Sequence, residues 1–231
     1  MRILSYSALA TTLLFAATSA NTEKIIFTAP TKSKLPDTKP GIDFLNIESL
    51  SSLDQSLQTS LAVRFTNETQ PTGTDHWYLL RNLQERQRYE LRICWSATQP
   101  TRFDLDIYTI ANVFDEPHLI QTLNRVLQRP KPRSAHSGKP EGDSRPPTVY
   151  DSVLFLHIRA AADYFSSNRT LMQFPPAVDV DIVLDPYIGG IFPQSLLSTA
   201  VYLVVLAILG WAASQVVWHS LKPVAIKLHN D

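Results

Sequence analysis

The chain has 231 residues, with 21 Lys plus Arg balanced by 21 Asp plus Glu, 44% hydrophobic residues and a single cysteine, Cys94. That balance leaves no broad electrostatic field and argues against nucleic-acid binding. One thiol excludes an intramolecular disulfide, so the fold has to rest on packing.

Both ends are apolar and the middle is polar. Arg2 precedes an apolar run over 3–17 and then the small residues Thr18, Ser19 and Ala20, which predicts a secretory signal peptide over 1–20. The run is shorter than the roughly 20 residues needed to span a bilayer. Residues 21–195 are then one lumenal domain, long enough to bury one core.

Alternating apolar residues predict short strands over 23–28, 61–65, 77–80, 89–95, 103–108, 151–159 and 178–184. In 89–95 the large residues Tyr89, Leu91, Ile93 and Trp95 alternate with Glu90, Arg92 and Cys94. In 103–108, Asp104 and Asp106 point outward. The connection 96–102 (SATQPTR) suits a loop between neighbouring strands, so these two are expected to pair antiparallel. Helix is expected only over 116–128, where Leu119, Ile120, Leu123 and Leu127 share one face, and as a short piece around 47–57. About seven strands with turns between them predict an all-β domain, a β-sandwich or jelly-roll-like arrangement. Residues 129–149, rich in Pro, Gly, Ser and charge, are expected to be a disordered excursion. Two sequons, at Asn67 and Asn168, lie within turn-forming sequence and are consistent with a lumenal location.

After the turn-prone stretch 186–193, residues 196–218 carry no charge and are long enough to cross a ~30 Å hydrocarbon core as a single transmembrane helix. Trp211 and Trp218 lie toward its far end, where amphipathic rings favour the headgroup level. Lys222 and Lys227 follow it, whereas Asp179, Asp181 and Asp185 precede it. This bias puts the tail 219–231 in the cytosol, and the topology is single-pass type I. Thr199, Leu203, Ala207, Gly210 and Ser214 recur at spacings of three and four and line up a largely small-residue face. Such a face lets a second helix approach closely, and Gln215 lies beside it.

No catalytic constellation stands out. His76, His118, His136 and His157 lack metal-ligand spacing, and His157 sits in an apolar strand run where a structural imidazole is expected. The sequence signals no Gly-rich phosphate loop, nucleophile elbow, cofactor site or metal site. Cys94 is expected to pack as a buried thiol. Asp104 and Asp106 share a face, but acids alternating along a solvated strand are ordinary.

The stretches NTEKIIFTAP (21–30), WYLLRNL (77–83), QRYELRICW (87–95) and ATQPT (97–101) resemble the fungal co-activator subunit of GPI mannosyltransferase II. The plan of signal peptide, lumenal domain and C-terminal membrane helix is similar too. The resemblance covers 21–30, 77–123 and the topology of the C-terminal end. It implies a non-catalytic protein of the endoplasmic reticulum membrane with no cofactor and no small-molecule substrate of its own. Its partner would be the multi-pass catalytic subunit, which adds the second mannose of the glycosylphosphatidylinositol precursor from dolichol-phosphate mannose. In that setting the small-residue helix face meets the catalytic subunit. The loop residues Gln99 and Thr101 are the expected lumenal contacts, with Tyr89 and Trp95 as core. A cargo or chaperone-like receptor of the early secretory pathway is the alternative, and a lumenal glycosidase would need an acid pair at a fixed separation.

Overall fold

A computed structural model of the chain describes residues 21–34, 45, 47–68, 71–128 and 150–229. The expected signal peptide and the excursion over 129–149 lie outside the described residues. The chain divides into two compact units, 1–184 and 185–231.

The first unit is mostly β. Its strands are β1 (Thr22–Thr28), β2 (Ser33–Lys34), β3 (Ser49–Ser51), β4 (Ser56–Leu61), β5 (Thr74–Arg81), β6 (Arg88–Trp95), β7 (Thr101–Thr109), β8 (Tyr150–Asp151), β9 (Leu154–Ala162) and β10 (Val178–Ile188). Among the described residues, three helices interrupt them: α1 (Ile110–Asp115), α2 (Pro117–Leu127) and α3 (Arg169–Gln173). One sheet runs β1-β6-β10, with β4 also on β10. The other runs β3-β5-β9-β7, and β2 pairs β8 separately. All pairs with assigned register are antiparallel except β3 with β5, which is parallel.

Period-two alternation builds the core. Leu91 and Ile93 from β6, Val180 and Ile182 from β10, Leu80 from β5, and Leu156 and Ile158 from β9 all turn inward into a single cluster. Each such side chain contributes about 1.5–3 kcal/mol by leaving water. The opposite face of the four-stranded sheet is covered by α1 and α2, whose Val113, Leu119 and Leu123 pack on Trp77, Leu79 and Phe155. Two local signals set these helices. Thr109 Oγ1 caps α1 by accepting from the Asn112 N–H at 3.2 Å. Glu116 is extended ahead of Pro117 and separates α1 from α2.

Three local expectations are corrected. Residues 47–57 are not helical: β3 leads into a turn in which Ser51 Oγ accepts from the backbone N–H groups of Leu53 and Asp54, and Leu50 is drawn into the core. The local hydroxyl bonds outcompete a helical turn. The strand expected over 61–65 lies earlier, at Ser56–Leu61, because Leu57, Thr59 and Leu61 carry the inward pattern. Arg64 retains only an isolated bridge to Ala161. β6 and β7 do not pair. β6 lies in one sheet and β7 in the other, and residues 96–100 cross between them, with Trp95 and Phe103 meeting edge-to-face at 4.7 Å. Both rings carry apolar area that the core takes from opposite sheets, and this outweighs the short loop's suitability for a hairpin.

In the second unit, the end of β10 turns back on β11 (Phe192–Pro193), followed by a 3-10 turn (Gln194–Leu196) and α4 (Leu197–His229). The Asp185 carboxylate accepts from the Ser195 N–H at 3.2 and 3.3 Å, satisfying an amide at the start of the helical segment. Residues Gln194–His219 form a helix long and apolar enough to cross a membrane.

Candidate functional site

A group of polar residues gathers on the helix-covered face of the four-stranded sheet. Register lines them up in rows across β5, β9 and β7: Asp75, Arg159 and Asp104, then Trp77, His157 and Asp106, then Leu79, Phe155 and Tyr108. His157 Nε2 donates to Asp75 Oδ1 at 3.0 Å, and Arg125 of α2 reaches Asp75 Oδ2 at 3.8 Å. Trp77 stacks on the imidazole, with ring centroids 4.3 Å apart and planes 11° from parallel. His157 is only 2% exposed, and its Nδ1 has no hydrogen-bond partner among the described residues, nor has Trp77 Nε1.

A histidine oriented by a carboxylate is half of a general-base arrangement, but a proton acceptor has to be within reach of substrate. Here the ring is closed over by Trp77 and serves to tie β9, β5 and, through Asp75, α2 together. The structural role expected for His157 therefore agrees with its place. Asp106 accepts from Arg159 at 2.7 Å, so the two strand acids do not stand as a free carboxylate pair. The Tyr108 phenol is held above its ordinary range, first by burial and then by the neighbouring Asp106 charge. No group of three or more His, Cys, Asp or Glu residues among the described residues is placed to hold a metal ion.

Gln99 and Thr101 do come together, but not as two exposed loop residues. Gln99 is half-buried: its Nε2 donates to the Ala177 carbonyl at 3.3 Å and its Oε1 accepts from the Asp179 N–H at 3.2 Å. Thr101 is the buried first residue of β7 and donates to the Gln99 carbonyl at 3.0 Å. The shared cause is the crossing between sheets, which requires residues 96–100 to be fastened to the start of β10. Both residues line an apolar cleft of about 330 Å³, together with Val63, Tyr164, Leu171 and Pro176. Phe165 and Phe174 belong to the same β9–β10 connection and are 89% and 74% exposed. Sequence reasoning missed these two rings, although large apolar residues outside any alternating pattern are a usable signal of a contact surface.

Tyr89 is core as expected, and Trp95 is half-buried against it. Cys94 departs from expectation: it is half-buried on the polar side of its strand, where the Thr22 hydroxyl lies 3.6 Å from its sulfur. Asn67 and Asn168 are both exposed. Asn168 also caps α3 by accepting from the Thr170 N–H at 3.0 Å.

In the second unit, Thr199, Leu203, Ala207, Gly210 and Ser214 all lie on α4 and are all exposed. At about 100° per residue their positions fall within an arc of about 80°. A Cβ built at Gly210 meets nothing within 4 Å, so the stripe is open for another backbone to approach.

No curated protein and no solved structure matches the chain. The sequence model of one family, Pga1, described as GPI-Mannosyltransferase II co-activator, matches residues 11–219. That span takes in the strands of both sheets, the helical layer and the open stripe of α4, and the chain belongs to the GPI-mannosyltransferase II co-activator family.

Proposed function

We propose that the chain is a non-catalytic subunit that binds and stabilises the multi-pass catalytic subunit of GPI mannosyltransferase II, supporting addition of the second mannose at the endoplasmic reticulum. In this reading residues 1–20 are a cleaved leader and 21–195 are lumenal. Residues 196–218 span the membrane, and 219–231 are cytosolic. The observation that carries it is α4: a membrane-length helix on which Thr199, Ala207, Gly210 and Ser214 share one arc with Leu203, in a chain of a co-activator family. Donor and acceptor lipids require a catalytic groove at the membrane, which one helix cannot build. A helix that packs against the catalytic subunit can favour its active arrangement by mass action.

In the lumen, the rim formed by Gln99, Phe165 and Phe174 is the surface offered to the catalytic subunit's loops, with a glycan at Asn67 marking surface left free; this contact requires the Asn168 sequon, three residues from Phe165, to be unoccupied. The test replaces Gly210 and Ser214 with Leu in the tagged full chain. It follows co-purification of the multi-pass mannosyltransferase in mild detergent and profiles GPI precursors in cells. Loss of the mannosyltransferase with accumulation of the one-mannose precursor is expected. Unchanged co-purification would sink the helix-face interface, and recovery of coat components with normal precursors would favour a trafficking receptor instead.

A further inference from the structure

The uncharged stretch at the C-terminal end is longer than a membrane span requires. Between Asp185 and Lys222 the sequence has no Asp, Glu, Lys or Arg. The helix suited to spanning begins only at Gln194. The residues before it form a hairpin in which Tyr187 pairs Pro193 and Ile188 pairs Phe192. The tip is Ile188-Gly189-Gly190-Ile191, closed by the Ile191 N–H donating to the Ile188 carbonyl at 3.1 Å. Both glycines sit in the left-handed region, at φ +59° and +70°, as such a tight turn demands.

In a water-exposed hairpin, polar residues are the usual company for such a turn. Here both flanks are isoleucines, and Ile191 is 80% exposed and Ile188 37%. Leu196 and Leu197, at the start of the helical segment, are exposed as well. The Ile191 N–H and the Ile188 carbonyl are satisfied within the turn, and at interfacial depth the glycine backbone groups stay within reach of water and lipid headgroups.

We infer that the Ile188–Ile191 hairpin tip is a second membrane contact: it seats in the headgroup–acyl boundary of the leaflet that α4 enters first, and its partner is phospholipid. The inference rests on the membrane-spanning reading of α4. Continuity with that span favours lipid over protein as the occupant: the tip is separated from the spanning helix by only the two-residue strand β11. A tip seated at this depth fixes how far α4 is drawn into the bilayer, which in turn sets the height of the small-residue stripe.

The single native cysteine makes the test direct. In a Cys94→Ser background, Ile191→Cys, Leu206→Cys and Leu53→Cys are each labelled with the environment-sensitive fluorophore NBD, and the full chain is reconstituted in phosphatidylcholine nanodiscs. Leu206 lies within the spanning helix, and Leu53, 81% exposed in the β3–β4 turn, reports water. The expected result is blue-shifted emission at 191 that lipids carrying a shallow nitroxide quench at least twofold, with position 53 unquenched and aqueous. Position 206 inserted but 191 as aqueous as 53 would overturn the inference while leaving the span intact. An aqueous signal at 206 would overturn the span and the inference together. A blue shift at 191 that lipid nitroxides fail to quench would assign the tip to protein and refute the lipid contact.

Discussion

Gly73, just before β5, offers the sharpest test of how the first unit is held together. Its φ is +84°, and a Cβ built there overlaps the Ala160 carbonyl oxygen and comes within 2.7 Å of the Ala160 carbonyl carbon and 2.9 Å of Ala161 Cα. The obstacle is the backbone of β9, the central strand that pairs with both β5 and β7. For Gly73→Ala, the left-handed conformation alone costs about 1 kcal/mol. Pushing two backbones apart adds about 2 kcal/mol, by the scale of overpacked interiors. A total of about 3 kcal/mol lowers Tm by roughly 6–12 °C for a chain of this size. The assay is thermal unfolding of the full chain in detergent, followed by tryptophan fluorescence. Gly73→Asn separates the two causes, because Asn tolerates the left-handed region better than Ala but carries more bulk. If overlap with β9 dominates, Asn is at least as damaging as Ala. Retention of near-wild-type Tm by Gly73→Asn would refute the close-approach argument and leave conformational strain as the whole effect.

His157→Ala removes a stacked ring and the bond to Asp75, and is expected to cost about 2–4 kcal/mol, read as a fall in Tm; an unchanged Tm would mean that the ring ties nothing together. Burial, and then the Glu48 charge, push the Tyr78 phenol above its ordinary value of 10.0. The unfolded chain therefore releases this proton first, so stability is intact below about pH 10 and falls as pH rises above it. Between pH 9 and 11 the Tm of the wild type should fall more steeply than that of Tyr78→Phe, and parallel slopes would count against it. In the membrane, Gly210→Leu with Ser214→Leu should reduce recovered mannosyltransferase severalfold, whereas Val204→Leu, which lies outside the small-residue arc, should not.

Sequence alternation located the strands well where both sides of the pattern were strong. Val178, Val180, Ile182 and Leu184 point into the core as their spacing implies, and the face of α2 formed by Leu119 and Leu123 is buried. Pairing was less legible, because period two gives the face of a strand and says nothing about which strand lies beside it. Residues 96–102 suit a hairpin loop, and the same short segment can arch from sheet to sheet. The helical reading of 47–57 failed because apolar spacing does not count the Ser51 hydroxyl bonds that close a turn. Of the proposed contact surface, the α4 stripe is visible as sequence spacing, since a lone helix needs no partner strand to define its faces. The exposed Phe165 and Phe174 stand outside any alternating pattern, a signal that a search for strand and helix faces passes over.

The separation of β6 and β7 into different sheets also bears on how the chain reaches its fold. Neighbours in sequence that do not pair cannot close an early hairpin, and the strands instead wait for distant partners. β1 joins β6, with Thr22 opposite Cys94, and β4 joins β10, with Leu61 opposite Val178. More than a hundred residues separate the last two, a delay on the order of 10 s at ordinary rates of synthesis. Contacts this remote give slow folding. For that interval β4, whose described pairing is with β10, waits with both edges open, and its Ser56, Gln58 and Ser60, which alternate with the inward residues, keep half of that waiting strand hydrophilic.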